Sequence, residues 1–583
     1  MELTGGLESA GIALLPLSSE KRASGWERRA RPAVLPAGAI RHDTSEGVIL
    51  VSTRRKLVLS AALCAVTIPM GAPASSSAAR DRERDARHVL LISVDGLHAS
   101  DLATYVRLAP GSTLARLSRH GTTYANALTT LPSDSFPGML ALATGGTPRS
   151  TGVYYDDSYD RSLFAPGSGC AGQPGAEIVY DETVDHDLTR LDGGGGIDPA
   201  KLPLSGTPGD CHPLLPHSFL RVNTIFEIAR EAGLPTAWSD KHPSYDLLNG
   251  PSGAGVGDLF TPEIAANDPV TGSPFANSED STIRYDGLKV DATVNQIHGL
   301  RSDGSAGPGE PAIFGMNFQA VSVAQKLPDP AAPLDPTGCP GSPPTPCPFV
   351  GGYRPDGSFG PALRQGLDFV DASLARMVAA MTRRERATTE IVITAKHGQS
   401  PVDPATLHRV GKGVVPDLVT QATGATVDGS QAQVTEDDVA LIWLARPFQG
   451  KDADLLATLR GAPATSAAFI DHVIGDAELG RRFGDPATDP RVPDAIVQPK
   501  LGGLYSTSKA KVAEHGGGTL DDRNVALLVV DPSHDDRGDG DPATVDDPVS
   551  TTQVAPSILR FLRLDPSDLQ AVRQEGTRPL PHD

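Results

Sequence analysis

Apolar runs alternate with helix-spaced apolar positions along most of the chain, and that alternation sets the first expectation. "HVLLISVDGL" (88–97) is nearly continuous in apolar residues and ends in Asp95–Gly96. A strand buried on both faces reads this way where it meets a loop at its carboxyl end. "STLARLSRHG" (112–121) puts Leu114 and Leu117 on one face and Gly121 at a C-cap, which predicts a short helix. "SFPGMLALATGG" (135–146) predicts a turn feeding a second helix, and "VNTIFEIAREAGLPTAWSD" (222–240) a helix and then a strand ending in acid. "PAIFGMNFQAVSV" (311–323) predicts another buried strand, "LRQGLDFVDASLARMVAAM" (363–381) a helix and "TEIVITAKHG" (389–398) the next strand. "NVALLVVDP" (524–532) is a late strand and "STTQVAPSILRFLRL" (550–564) a closing helix. Two stretches break the pattern: 155–215, rich in Asp, Gly and Pro, predicts a lid or rim insertion, and 327–361 a proline-dense loop.

Strands alternating with helices predict an α/β fold, a doubly wound and mostly parallel sheet with helices on both faces. Chemistry in such sheets gathers at the carboxyl ends of strands. There the sequence places Asp95, Asp240, the 319–326 segment and Lys396–His397. No internal repeat is present.

A length of 583 residues admits two or three ordinary domains, or one large α/β enzyme with insertions. The formal charge of −20 argues against duplex nucleic acid as a partner. An anionic substrate would need a local cationic or metal site working against the overall field. Near the N-terminus, Arg54, Arg55 and Lys56 precede an apolar run to about Met70 and small residues at Ala78–Ala79. This is the three-part pattern of an export signal, read over residues 51–79 and too short for a membrane span. "TRRKLV" fits a twin-arginine signal, and an ordinary export signal with two chance arginines fits as well. Signals normally begin a chain, so residues 1–50 are read as an upstream segment, with the true start at Val48 or Val51.

Removing residues 1–79 leaves a formal charge of −23 and four cysteines, Cys170, Cys211, Cys339 and Cys347. An even number in an exported protein favours disulfides, with Cys170–Cys211 and Cys339–Cys347 the expected pairs. No C-x2-C spacing supports a zinc knuckle.

Four segments carry candidate chemistry: "ISVDGL", "TLPSDSFPGMLALATGGTPRSTGV", "ITAKHG" and "AEHGGGTLDDRNVALLV". In this order they resemble the alkaline phosphatase superfamily, in its type I phosphodiesterase/nucleotide pyrophosphatase family, across residues 87–571. The resemblance implies an alkaline-phosphatase-like catalytic domain and two-step phosphoryl transfer through a covalent enzyme intermediate. It makes Ser135, directly before Phe136–Pro137, the nucleophile, with Ser133 the poorer candidate. A serine at a helix start also serves as an N-cap, and free N–H groups there hold phosphate oxygens. The metal ligands it implies are Asp95, Ser135, His397 and His515, around one or two divalent ions, with zinc the expected metal. "SFPGM" also approaches a sulfatase modification sequence, but Met139 stands where arginine is needed.

The chain departs from the family pattern at several points. Ser322, Gln325 and Lys326 stand where a loop Asp-x3-His should supply ligands, and serine and glutamine are poor ligands for zinc. Gly138 replaces an asparagine that would donate to an oxyanion, and Thr151 replaces a histidine. Lys396 replaces the Asp of Asp-His-Gly. A charged ammonium ~4 Å from a divalent ion is repelled by ~8 kcal/mol at an effective dielectric of ~20. Lys396 therefore points away, or holds a phosphate oxygen beside one remaining metal as a catalytic residue, or marks a centre without metal. Residues 239–258, with Asp240, Lys241, His242, Tyr245 and Asp246, supply replacement ligands, read the substrate, or form a polar capping loop.

The reading is a secreted, metal-dependent hydrolase of phosphodiester or pyrophosphate bonds with an altered, single-metal centre. Its substrate is a small anionic phosphoester, a nucleotide among the candidates, with Tyr154, Tyr155 or Tyr159 as a base-stacking slot. No stable membrane span is expected after signal removal. Alternatives are a phosphomonoester, phosphonate or sulfate ester hydrolase, and an anion-binding pseudoenzyme.

Overall fold

The computed structural model describes residues 87–328, 352–354, 356–508, 510–530 and 543–581, with the backbone alone at 334–335 and 347–348. Eight strands form the main sheet: β1 (His88–Val94), β2 (Thr122–Tyr124), β3 (Ala237–Ser239), β4 (Asp258–Phe260), β5 (Ile313–Phe318), β6 (Thr389–Thr394), β7 (Leu527–Val530) and β8 (Ala543–Val545). Their order is β8-β2-β7-β6-β1-β5-β3-β4. The five from β6 to β4 run parallel, whereas β7 is antiparallel to both β6 and β2. The fold class is thus mixed α/β with a large, mostly parallel central sheet.

Side-chain alternation explains why β1 is apolar at Val89–Ile92 and Val94. Val89 and Leu91 face one core with Phe136, Met139 and Leu140 of α3 (Ser135–Thr144) and Ile558 and Leu559 of α7 (Val554–Phe561). Leu90, Ile92 and Val94 face the other core. There they meet Leu102 of α1 (Ala99–Leu108), Leu114 of α2 (Thr113–His120), Val290 of α4 (Glu279–Ile297) and Leu363 and Leu367 of α6 (Pro361–Ala380). Strands covered on both faces have no polar side to show. All ten residues of α3 are buried, so that helix is apolar around its whole circumference.

Register sets the level of the strand ends. Ser93 of β1 lies opposite both Asn317 of β5 and Thr394 of β6, and Met316 lies opposite Ser239 of β3. The residues that follow, Asp95, Gln319, Lys396–His397 and Asp240–Lys241, therefore emerge along one edge of the sheet.

Three differences from the sequence reading have physical causes. The 311–323 segment is not one strand: β5 stops at Phe318 and α5 (Ala320–Lys326) begins at once. The Asp286 carboxylate of α4 accepts the N–H groups of Gln319 and Ala320 at 2.7 and 2.8 Å, so the cap comes from another element. Helix α3 starts at Ser135 itself, because Asp134 accepts the Phe136 N–H at 2.9 Å as its N-cap. Third, 432–499 contains a separate antiparallel sheet with strand order Ala432–Glu436, Ala440–Leu444, Ala495–Pro499 and Ile470–Ile474, which the sequence pattern did not reveal.

The lid expected over 155–215 holds two hairpins, Asp157–Asp160 with Ala176–Val179 and Leu204–Thr207 with Asp210–Pro213. Buried Arg161 ties it to the second sheet through the Leu444 carbonyl at 2.6 Å and the Asp494 carboxylate. Cys170 and Cys211 form the expected disulfide, with Cα atoms 5.7 Å apart. The Cys339–Cys347 pairing lies outside the described residues. No helix among the described residues is long and apolar enough to cross a membrane.

The disulfide closes a loop of 41 residues. Loop-closure entropy of that size gives up to about 4 kcal/mol. Cys170→Ser is expected to lower unfolding free energy by about 2–4 kcal/mol in urea titration. An unchanged midpoint would show that the lid is held by its other contacts alone.

Candidate active site

Ser135 opens α3, and its hydroxyl meets two side chains from other strand ends. Lys241 Nζ donates to Ser135 Oγ at 2.9 Å, and His397 Nε2 lies 3.2 Å from the same oxygen. The opposite ring nitrogen, Nδ1, is 2.8 Å from the Gly398 carbonyl. A carbonyl only accepts, so Nδ1 carries the proton and the Nε2 lone pair faces the Ser135 hydroxyl. Burial lowers the His397 pKa against the opposing pull of Asp95, which keeps the ring neutral.

Asp95 sits beside this pair. Its Oδ2 accepts Gln319 Nε2–H at 2.6 Å and Asn317 Nδ2–H at 3.2 Å. It also pairs with Lys396 Nζ at 3.4 Å and Lys241 Nζ at 3.6 Å, and lies 3.7 Å from His397 Nε2. Burial alone would raise the Asp95 pKa; the Lys396 ammonium, with Lys241 beside it, outweighs it and holds the carboxyl well below the ordinary range. Lys396 is fully buried, donates to Tyr245 Oη at 2.6 Å and pairs with Asp240 Oδ1 at 3.2 Å. The His515 ring lies 4.0 Å from the His397 ring, centre to centre, and its Nδ1 is 3.6 Å from Asp134 Oδ1. Burial, then the charge of Asp156, push the Asp134 carboxyl up to about 8, while burial, with the charges of Lys326 and Lys241, holds His515 neutral.

The fold thus brings Asp95, Ser135, Lys396, His397 and His515 together. It adds Asp240, Lys241 and Tyr245 from the 239–258 segment, for which the sequence left three roles open, Gln319 from the segment expected at the strand ends, and Asn317, which the sequence reading did not name. Their signal was position: Asp240–Lys241 follows β3, and Asn317 and Gln319 flank the end of β5. Lys396, expected to meet the substrate, spends its ammonium on Asp95, Asp240 and Tyr245, and Lys241 is the lysine that reaches Ser135. Ser133 is engaged elsewhere, its hydroxyl accepting the Gly516 N–H at 3.3 Å. The proposed tyrosine slot is not a slot: Tyr154, Tyr155 and Tyr159 are buried with Leu441 and Trp443 of the second sheet.

The expected divalent ion does not find a matching donor set. Among the described residues no group of three or more His, Cys, Asp or Glu side chains is arranged to hold a metal. Ser322 donates to Gln399 Oε1 at 2.9 Å, Gln325 to the Gly96 carbonyl at 2.9 Å, and Lys326 pairs with Glu514 at 3.0 Å. Asp95 Oδ1 is buried without a hydrogen-bond partner, the kind of atom a metal would take. Yet two ammonium groups flank the same carboxylate, and each repels a divalent ion ~4 Å away by ~8 kcal/mol at a dielectric of ~20.

Gly138 is explained by packing. A Cβ there would lie 2.1 Å from the Lys396 carbonyl oxygen and 2.7 Å from its carbonyl carbon. Helix α3 approaches the end of β6 so closely that no side chain fits, which rules out the asparagine of the family pattern.

Together these features define an α/β protein with a buried serine–histidine–lysine centre at the carboxyl edge of its sheet. The type I phosphodiesterase/nucleotide pyrophosphatase family profile matches residues 89–186, which include the Asp95 and Ser135 segments. The resemblance is therefore borne out over the first two of the four motifs. No curated protein matches the chain. Among solved structures the chain is similar to murine ectonucleotide pyrophosphatase/phosphodiesterase 5, once as such and once as an inactive form in complex with AMP. Each is 13% identical, covering 82% of this chain and 95% of that one, with a TM-score of 0.46.

In the 155–215 insertion, Asp185 has its carboxyl buried beside Glu263. Burial, then Glu263, push its carboxyl up to about 8. The unfolded value is ~3.9, so between these values the folded state binds more protons and stability falls as pH rises. Asp185→Asn is expected to flatten the decline in Tm between pH 5 and pH 8. An equally steep decline in the variant would contradict this. Gly138→Ala is expected to cost about 1–3 kcal/mol or more by forcing α3 from β6, read by urea denaturation; a variant as stable as the parent would refute the packing account.

Proposed function

We propose that this protein is a hydrolase of phosphodiester or pyrophosphate bonds that works through a covalent phosphoryl intermediate on Ser135. The observation that carries the reading is the Ser135 hydroxyl held between a cationic donor, Lys241, and a neutral acceptor, His397 Nε2. The family match over residues 89–186 supports the substrate class.

In the first step Ser135 Oγ attacks phosphorus and its proton passes to His397 Nε2. The Oγ–P bond forms, and the bond to the leaving group breaks on the opposite side. The leaving oxygen departs with the electron pair and takes a proton from solvent. In the second step water attacks from the vacated side, the Oγ–P bond breaks, and His397 returns its proton to Ser135. The proton shed by water balances the one taken up by the leaving group. The N–H groups at the start of α3 are already engaged: Phe136 donates to Asp134 Oδ2 and Gly138 to the Asp134 carbonyl, each at 2.9 Å, and Pro137 has none, so the helix-start anion site expected from the sequence is not open. Charge favours a diester: Asp95 and Asp240 balance Lys241 and Lys396. Of the two lysines, only Lys241 is in part open to solvent, its side chain 14% exposed against 0% for Lys396. One accessible cation matches the single charge of a phosphodiester better than the double charge of a monoester.

Export is part of the proposal. It rests on the signal-like residues 51–79 and is supported by the Cys170–Cys211 bridge, a bond typical of oxidising compartments. The test is turnover of bis-p-nitrophenyl phosphate against p-nitrophenyl phosphate, with acid-quenched mass spectrometry of the Ser135 peptide. The expected result is diester preference, a phosphoryl adduct on Ser135 and a loss on the order of 10³-fold or more in Ser135→Ala. Monoester preference would move the substrate to the alternative class; Ser135→Ala with full activity would remove Ser135 from the chemistry.

A further inference from the structure

We infer that the ammonium groups of Lys241 and Lys396 take the place of the divalent ion, so that the centre works on tethered positive charge, with Lys241 as a catalytic residue. The inference rests on the reading of Ser135 as nucleophile and adds the source of positive charge.

Three observations carry it. Lys241 Nζ lies 2.9 Å from Ser135 Oγ and 3.6 Å from Asp95 Oδ2, bridging nucleophile and carboxylate where a shared cation would sit. Lys396, which replaces a carboxylate in the motif, reverses the sign of its position and pairs with Asp95 and Asp240 at 3.4 and 3.2 Å. The remaining altered positions are not idle ligands: Ser322, Gln325 and Lys326 all have partners within the protein. A centre that had merely lost its metal would leave Asp95 and Asp240 as buried, uncompensated charges. Here two carboxylates meet two ammonium groups.

The roles of the two lysines differ. Lys241 touches the reacting oxygen and stabilises the charge that develops on Ser135 Oγ and on the phosphoryl oxygens during attack. Lys396, sequestered by Tyr245 and the two carboxylates, is a positioning residue that holds Asp95 and Asp240 in place. Lys241 donates a hydrogen bond where a metal would accept an electron pair, so the serine proton goes to His397 Nε2.

The experiment has a readout independent of turnover. The full chain, purified in metal-free buffer, is titrated with zinc by calorimetry beside a Lys241→Ala/Lys396→Asp double variant, and its metal content is measured by mass spectrometry. The parent is expected to hold no stoichiometric zinc. The double variant is expected to bind one ion more than about 100-fold more tightly, because two repulsive charges are gone and one carboxylate is gained. In parallel, turnover of bis-p-nitrophenyl phosphate is expected to be unchanged by chelator. Lys241→Met is expected to fall about 10²–10³-fold in kcat with its circular dichroism unaltered. Stoichiometric zinc in the parent, with activity abolished by chelator, would overturn the inference. If no phosphoester is turned over, the proposed function fails, and the zinc titrations still decide whether the lysines have displaced the ion.

Discussion

The buried ion pair between Lys396 and Asp95 is the contact on which the arrangement of the centre depends. Both side chains lie inside the protein, at the ends of adjacent strands β6 and β1. Removing two charges from water is costly, and either one alone would be strongly destabilising. Asp240 and Lys241 extend the pair to four alternating charges. The hydrogen bonds from Gln319, Asn317 and Trp238, together with that from Lys396 to Tyr245, supply the polar partners such a group needs. With the four charges balanced, His397 can remain neutral at 3.2 Å from Ser135 Oγ.

Sheet register makes this possible. Strands β6, β1, β5 and β3 end at one level, so residues from four distant parts of the sequence converge without long loops. The close approach of α3 belongs to the same geometry. Gly138 lets the helix rest on the Lys396 backbone, and Thr129 fixes that carbonyl further with a hydrogen bond at 2.6 Å.

Much of this was legible in the chain. The apolar run of β1 ending in Asp95, the helix behind Ser135 and the β6 strand before Lys396–His397 follow from periodicity, because strands covered on both faces leave a strong local signature. The boundary at Gln319 did not, since its cap, Asp286, lies far away in sequence. The antiparallel sheet of 432–499 was hidden for another reason: its short strands are separated by irregular and helical segments. Lys241 was visible as one of five polar residues in a segment read as replacement ligands, substrate readers or a capping loop. Nothing local distinguishes a lysine that reaches a serine from one that reaches water, and the pairing of β3 with β5 decides it.

Lys241 also changes what it takes to finish the molecule. A metal ion is recruited from a pool, so the occupancy of its site follows free concentration and competition from other chelators. An ammonium group is specified by a codon and is delivered at the moment the chain folds. With Lys241 against Ser135, assembly of the positive charge becomes a folding event rather than a binding equilibrium, indifferent to the ionic inventory of its surroundings.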